Sequence, residues 1–385
     1  MKHFDLTSKT RIRSLDFLRG LVMELMAIDH VRVYSGMPSW GATPGIFFTR
    51  WVTHFCVPTF VFFAGTAAFL YGNKINDRKE LSRFLFIRGL LLIILEWTII
   101  RFSWTFNLNY AAFTLAGVIW MLGCCMILMG LLIWIPQKLM AVIGVLMIIF
   151  QYLFTDLPRL LPSGARAGFS WYWAFIYPTG MEDHTGITIL YVIVPWIGVM
   201  MLGYCFGQII LMDPARRRRW CLGIGFLAIV IFIVASCILT LGNKGQEDDR
   251  AFIYRFLDQR KYPPSVWYLL MTLGPVIALI PFAERVKGKI ADAFIVFGRV
   301  PLFYYLIHIP LIHIAALMVN LLREGGVHQE RYTTAPYTHV PDNGRWGLPL
   351  LYLVFILVEI VLFLVCKKYM KYKAQNPDKK WLRYI

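Results

Sequence analysis

Charge is what this chain has least of. Only 16% of its 385 residues are Asp, Glu, Lys or Arg, while 58% are hydrophobic. That balance excludes an ordinary soluble domain. No linker divides the sequence and no polar stretch is long enough to fold alone, so residues 1–385 are read as one integral membrane domain. Cysteines in polar loops are missing too: Cys56, Cys124, Cys125, Cys205, Cys221, Cys237 and Cys366 all lie in or beside apolar runs, without CxxC spacing. Such thiols pack; they argue against a disulfide framework or a zinc site, and no metal is expected. Gly-rich phosphate loops, nucleophile elbows and HExxH are absent. Any covalent step then falls to histidine or to the substrate itself.

What the chain has is apolar runs of seventeen or more residues along its whole length, each able to span about 30 Å of hydrocarbon. Ten spans are expected, near 15–36, 51–71, 84–104, 110–135, 139–155, 187–212, 221–242, 265–283, 293–319 and 347–366. The fold class is therefore all-α, a polytopic transmembrane helix bundle. The first run is too long and too rich in ionisable groups for a cleaved signal peptide. One set of connecting segments is basic: Lys2, Lys9, Arg11 and Arg13, then Lys74 to Arg88, Lys138, Arg216 to Arg219, Arg285 to Lys289, and the tail from Lys367. The other set, 37–50, 156–186, 243–264 and 320–346, is aromatic and mixed in charge. The positive-inside rule puts the first set and both termini in the cytoplasm. The formal net charge of +17 is thereby explained by topology and anionic headgroups, with no need of nucleic acid.

The first apolar run, LDFLRGLVMELMAIDHVRVYSG, carries Asp16, Arg19, Glu24, Asp29, His30 and Arg32. Ionisable groups inside a bilayer cost several kcal/mol each by insertion scales, so together they mark a functional site. Arg19 and His30 are three helical turns apart, about 16 Å along one face. His30 lies before the outer end of the first span and His54 just inside the second, so the two imidazoles are expected at similar depth. A neutral imidazole suits a general base near neutral pH. Asp29 points about 100° away from His30; a local pair with Arg32 competes with catalytic support. Asp16 and Arg19 form a second such pair, or Arg19 meets a donor entering from the cytoplasm. Glu24 has no local partner. The ninth span reads FGRVPLFYYLIHIPLIHIAAL, with Tyr304, Tyr305, His308 and His313 on a helix expected to kink at Pro310. His308 is the one near midplane, and His313 faces different neighbours. Glu96 and Arg101 are placed to pair near the outer surface. FSWYWAFIYP (169–178) suits an aromatic belt or a stacking platform for a sugar.

Arg19 followed at His30 within SLDFLRGLVMELMAIDH resembles the signature of the transmembrane acyltransferase superfamily. The stretches THFCVPTFVFFAGT (53–66), VIWMLGCCMILMGLLIWIP (118–136), VPWIGVMMLGYCFG (194–207), YPPSVWYLLMTLGP (262–275) and FGRVPLFYYLIHIPLIH (297–313) are similar to bacterial relatives of the heparan-alpha-glucosaminide N-acetyltransferase catalytic domain. The resemblance implies transfer of an acyl group, acetyl above all, from cytoplasmic acetyl-CoA to an extracytoplasmic saccharide, in the inner (plasma) membrane. It implies His30 as the signature histidine and Arg19 as the signature arginine near the donor; the reading of the residues themselves adds His54 and Asp29 as catalytic candidates and His308 toward the donor. Arg83, Arg88 and Arg216 to Arg219 are the basic groups placed to meet CoA phosphates. No histidine lies between Ser35 and Arg50 to take an acetyl group, and His54 replaces an aspartate, so neither an acetyl-histidine nor glucosamine as acceptor carries over. The rival from another class is a proton-coupled transporter of a polar metabolite, its path lined by the same groups.

Overall fold

The computed structural model describes residues 12–38, 43–178, 186–242 and 250–385. Lys2, Lys9 and Arg11 of the basic N-terminus lie outside the described residues, as do 39–42, 179–185 and 243–249 of the connecting segments. The fold is all-α. Each expected span contains a helix: α1 Arg13–Tyr34, α2 Cys56–Ile75, α3 Arg78–Leu95, α4 Val118–Leu132, α5 Gln137–Ile149, α6 Trp196–Leu211, α7 Pro214–Gly242, α8 Val266–Ala283, α9 Pro301–Glu324 and α10 Leu348–Gln375. Among the described residues, five helical stretches are long and apolar enough to cross a bilayer: Pro44–Ile75, which ends in α2, and α7 to α10. A sixth arises if α5 is joined to Leu153–Leu160 across a 74° bend. α1 has the length, but its acidic and basic side chains lower its hydropathy.

Two expected spans prove shorter as helices. Residues 110–117 and 187–195 are apolar yet lie outside α4 and α6, and Leu115–Ala116 pairs in parallel with Thr188–Ile189. α3 opens on Asp77, whose side chain accepts from Lys79 N and Glu80 N. It ends in a π-helical turn, Glu96–Ile100, followed by Arg101–Thr105. The expected Glu96–Arg101 pair does not form. The Glu96 carboxylate instead accepts from Ile119 N at 3.1 Å and Trp120 N at 3.2 Å. It caps α4, whose own N-cap Gly117 has no side chain to do so, and sits where the helix dipole favours negative charge. Arg101 turns to the carbonyls of Asn107, Asn109 and Phe113. α8 starts after the Tyr262-Pro263-Pro264 turn, with Ser265 Oγ accepting from Tyr268 N. α9 runs through Pro310 without a break.

α1 packs against the amphipathic helix Lys289–Arg299, and also touches α2, α8, α9 and α10. The closest approach is backbone to backbone. A Cβ on Gly20 would stand 1.8 Å from the Phe294 carbonyl oxygen, and one on Gly298 would stand 1.8 Å from that of Asp16. Only glycine fits at either place. That crossing fixes the depth of α1 among its neighbours, and with it the position of His30.

Candidate functional site

The site forms where the C-terminal half of α1 meets α9 and the segment Arg101–Thr105. His308 is fully buried, with Nδ1 2.8 Å from the Tyr305 carbonyl and 3.2 Å from that of Tyr304. Carbonyl oxygens only accept, so Nδ1 carries the proton of the neutral ring and Nε2 is left as acceptor. Nε2 stands 2.7 Å from His30 Nδ1, which must donate. The proton of His30 is thus fixed at Nδ1 and its lone pair at Nε2. Among the described residues no hydrogen bond engages that Nε2. The two rings stack at 4.9 Å, and Trp104 closes edge-on against His30 at 4.8 Å. His30 therefore faces protein and not lipid. Its partner is His308, not His54.

Asp29 takes the expected local pair, 2.9 Å from Arg32 Nε, with Arg50 at 3.9 Å. Arg32 also donates to the Met37 carbonyl at 3.0 Å. His54 lies on the 3-10 turn Val52–Phe55, 5.5 Å ring to ring from Tyr268. It and His30 both lie within electrostatic range of Lys261 and Asp29. Lys261 is a residue that sequence reasoning missed. It sits in a segment of mixed charge, and its one signal was the Tyr-Pro-Pro turn directly after it.

At the Lys/Arg-rich end, Arg19 reaches Asp16 at 3.5 Å and the Gly298 carbonyl at 3.3 Å, while Arg299 lies 3.7 Å from the same Asp16. Arg88 is within range of the Arg19 charge. Arg83 lines a cavity of about 350 Å³ with Lys79, Arg383 and Tyr384, alongside the acids Asp77 and Glu80. Arg217 is bound to Glu284 at 2.6 Å and to the Ile210 and Met212 carbonyls, which gives it a structural task. His313 is likewise committed, to the Ser103 carbonyl and Gln329, and stacks on Phe106 at 3.9 Å. Glu24 finds a distant partner: its carboxyl meets that of Glu359 on α10, to which Tyr304 donates at 2.6 Å. In the aromatic stretch, Trp173 Nε1 donates to the Phe154 carbonyl at 2.8 Å while Tyr172 is exposed.

A family model described as heparan-alpha-glucosaminide N-acetyltransferase, catalytic, matches residues 11–242. The chain belongs to this family. The matched range includes Arg19, Asp29, His30 and His54; Lys261, His308 and Glu359 lie beyond it. A search of curated proteins finds no match. Family membership makes the protein a multi-pass membrane protein of N-acetyltransferase type, and its apolar helices agree.

Proposed function

We propose that this protein moves an acetyl group from acetyl-CoA to a saccharide on the other side of the plasma membrane, with His30 Nε2 as general base. The acceptor amine or hydroxyl hydrogen-bonds to Nε2 and attacks the thioester carbonyl. The new C–N or C–O bond forms as the C–S bond breaks, and the proton passes through His30 to the departing CoA sulfur. His308 touches no reacting atom in this scheme; it is a positioning residue that holds His30 in the useful tautomer. Asp29 pairs with Arg32 beside the site, with Arg50 next to it. Arg19 and Arg88 supply positive charge where CoA enters, with the termini on the cytoplasmic side.

The observation that carries this reading is the Tyr305 carbonyl–His308–His30 relay, which leaves a lone pair on a half-buried imidazole three helical turns from Arg19. The test is transfer of radiolabelled acetyl from acetyl-CoA to envelope saccharides by reconstituted protein. General-base help is worth about 10²–10⁴-fold, so His30→Ala should retain only a trace of activity. Wild-type transfer by His30→Ala would remove the base. Solute flux without acetyl-CoA turnover would favour the transporter.

A further inference from the structure

Three rings meet around the base, and each has one polar atom uncommitted. The lone pair on His30 Nε2 is the first. Tyr305 faces His30 at 6.4 Å and 85°, and among the described residues its hydroxyl makes no hydrogen bond. Trp104 stands at 4.8 Å and 70° from His30, and its Nε1 likewise donates to nothing among the described residues. Other tyrosines of the same core do commit their hydroxyls: Tyr34 to the Trp104 carbonyl, Tyr268 to that of His54, and Tyr304 to Glu359. Glu96 lies within range of Tyr305, but its carboxylate is taken by Ile119 N and Trp120 N. The idle indole nitrogens of Trp51, Trp97 and Trp346 are sealed into the packing, whereas Trp104 Nε1 and the Tyr305 hydroxyl are not. Their side chains are only 5% and 7% exposed, so each donor is buried yet reachable. A buried donor left idle has given up its bond to water without replacement.

One acceptor flanked by two donors is the set that acyl transfer requires. Attack on a thioester moves the carbonyl electron pair onto oxygen, and donors fixed beforehand where that charge grows stabilise it most. We propose that Tyr305 Oη–H and Trp104 Nε1–H form an oxyanion hole for the thioester carbonyl, while His30 Nε2 takes the proton of the nucleophile. The C–N or C–O bond forms as the carbonyl pair moves to oxygen. That pair returns as the C–S bond breaks, and the sulfur leaves with the proton that His30 carried. Both donors are held ready. Tyr34 stacks on Trp104 at 5.7 Å and 7° and donates to its carbonyl at 2.7 Å, and the Tyr305 ring rests on His308 at 5.1 Å. The role of the two donors rests on the acyl-transfer reading.

The experiment is steady-state transfer by the full chain in nanodiscs, from acetyl-CoA and from its dithioacetyl analogue. In the analogue a sulfur replaces the carbonyl oxygen and accepts hydrogen bonds poorly. Tyr305→Phe deletes one oxygen and keeps the main-chain carbonyl that anchors His308. It and Trp104→Phe should each lower kcat for acetyl-CoA about 100-fold, the loss expected for one oxyanion donor, with KM near wild type. Wild type should favour acetyl-CoA over the analogue about tenfold more than either variant does. A purely structural role would slow both donors alike and leave that preference unchanged. Tyr305→Phe should melt no lower than wild type, because its hydroxyl holds nothing in the resting protein; should Trp104→Phe unfold, Tyr305→Phe decides alone. Wild-type kcat in a folded variant, or a lost rate with the oxygen preference intact, would overturn the proposal. If the acyl-transfer reading itself is wrong, wild type moves no acetyl group and the oxyanion hole falls with it; if the hole alone is wrong, wild type transfers and the variants keep pace.

Discussion

His308 Nε2 lies 2.7 Å from His30 Nδ1, and its own Nδ1 is anchored 2.8 Å from the Tyr305 carbonyl. Two main-chain oxygens, those of Tyr304 and Tyr305, thereby dictate the tautomer of both rings. His308 needs no contact with substrate to matter.

Replacing His308 by Ala should lower kcat about 100-fold, the order of loss expected when a reacting group loses its orientation. KM for acetyl-CoA should stay near wild type. His308→Gln should recover part of the loss, because its amide oxygen can accept from His30 Nδ1. Protonating either imidazole breaks the relay, so kcat/KM should fall on the acid side in wild type. In His308→Ala that limb should shift. Unchanged kcat in His308→Ala would disconnect the relay from catalysis.

The Tyr304–Glu359–Glu24 contact ties α9, α10 and α1 together inside the apolar bundle. Tyr304→Phe removes the 2.6 Å donor from a buried carboxyl group and should cost about 1–3 kcal/mol of stability. Glu359→Gln keeps the shape and offers an N–H to Glu24, so it should be milder than Glu359→Ala. Thermal unfolding in detergent ranks the three, and an opposite order would sink the assignment.

Gly298→Ala should be worse than its one added methyl suggests. The new carbon would fall 1.8 Å from the Asp16 carbonyl, so α1 and the helix Lys289–Arg299 must separate. Overpacking of this kind costs about 1–3 kcal/mol or more. Displacement of α1 should also reduce acetyl transfer, which an alanine at the open Gly223 of α7 should leave intact.

The helices were readable because a long apolar run declares itself by composition, although among the described residues only five or six stretches are long and apolar enough to cross a bilayer. The reading overran at 110–117 and 187–195, where hydrophobic residues form a two-strand ladder and connecting turns; hydropathy does not separate these from helix. The Asp29–Arg32 and Asp16–Arg19 pairs were legible, since helical spacing reports neighbours three and four residues away. His30 and His308 lie 278 residues apart, and Glu24 meets Glu359 from the far end of the chain. No periodicity carries such contacts. Glu96 went to the end of α4 instead of Arg101 because main-chain N–H groups at a helix start compete well for a carboxylate. Lys261 stayed unnoticed because a lysine in a connecting segment reads as solvated; only the packing around it shows that it is not.

The Glu96–Ile100 turn winds one residue more than an α-turn requires, and everything after it is rotated accordingly. Removing a single residue there would let the helix close up and swing Trp104 about 100° around the axis, away from His30. The Ser103 carbonyl would leave His313, and the Trp104 carbonyl would leave the Tyr34 hydroxyl. The wall beside the base is thus set by a count of residues more than by their identity, and a one-codon deletion within 97–100 would open it while removing no titratable side chain.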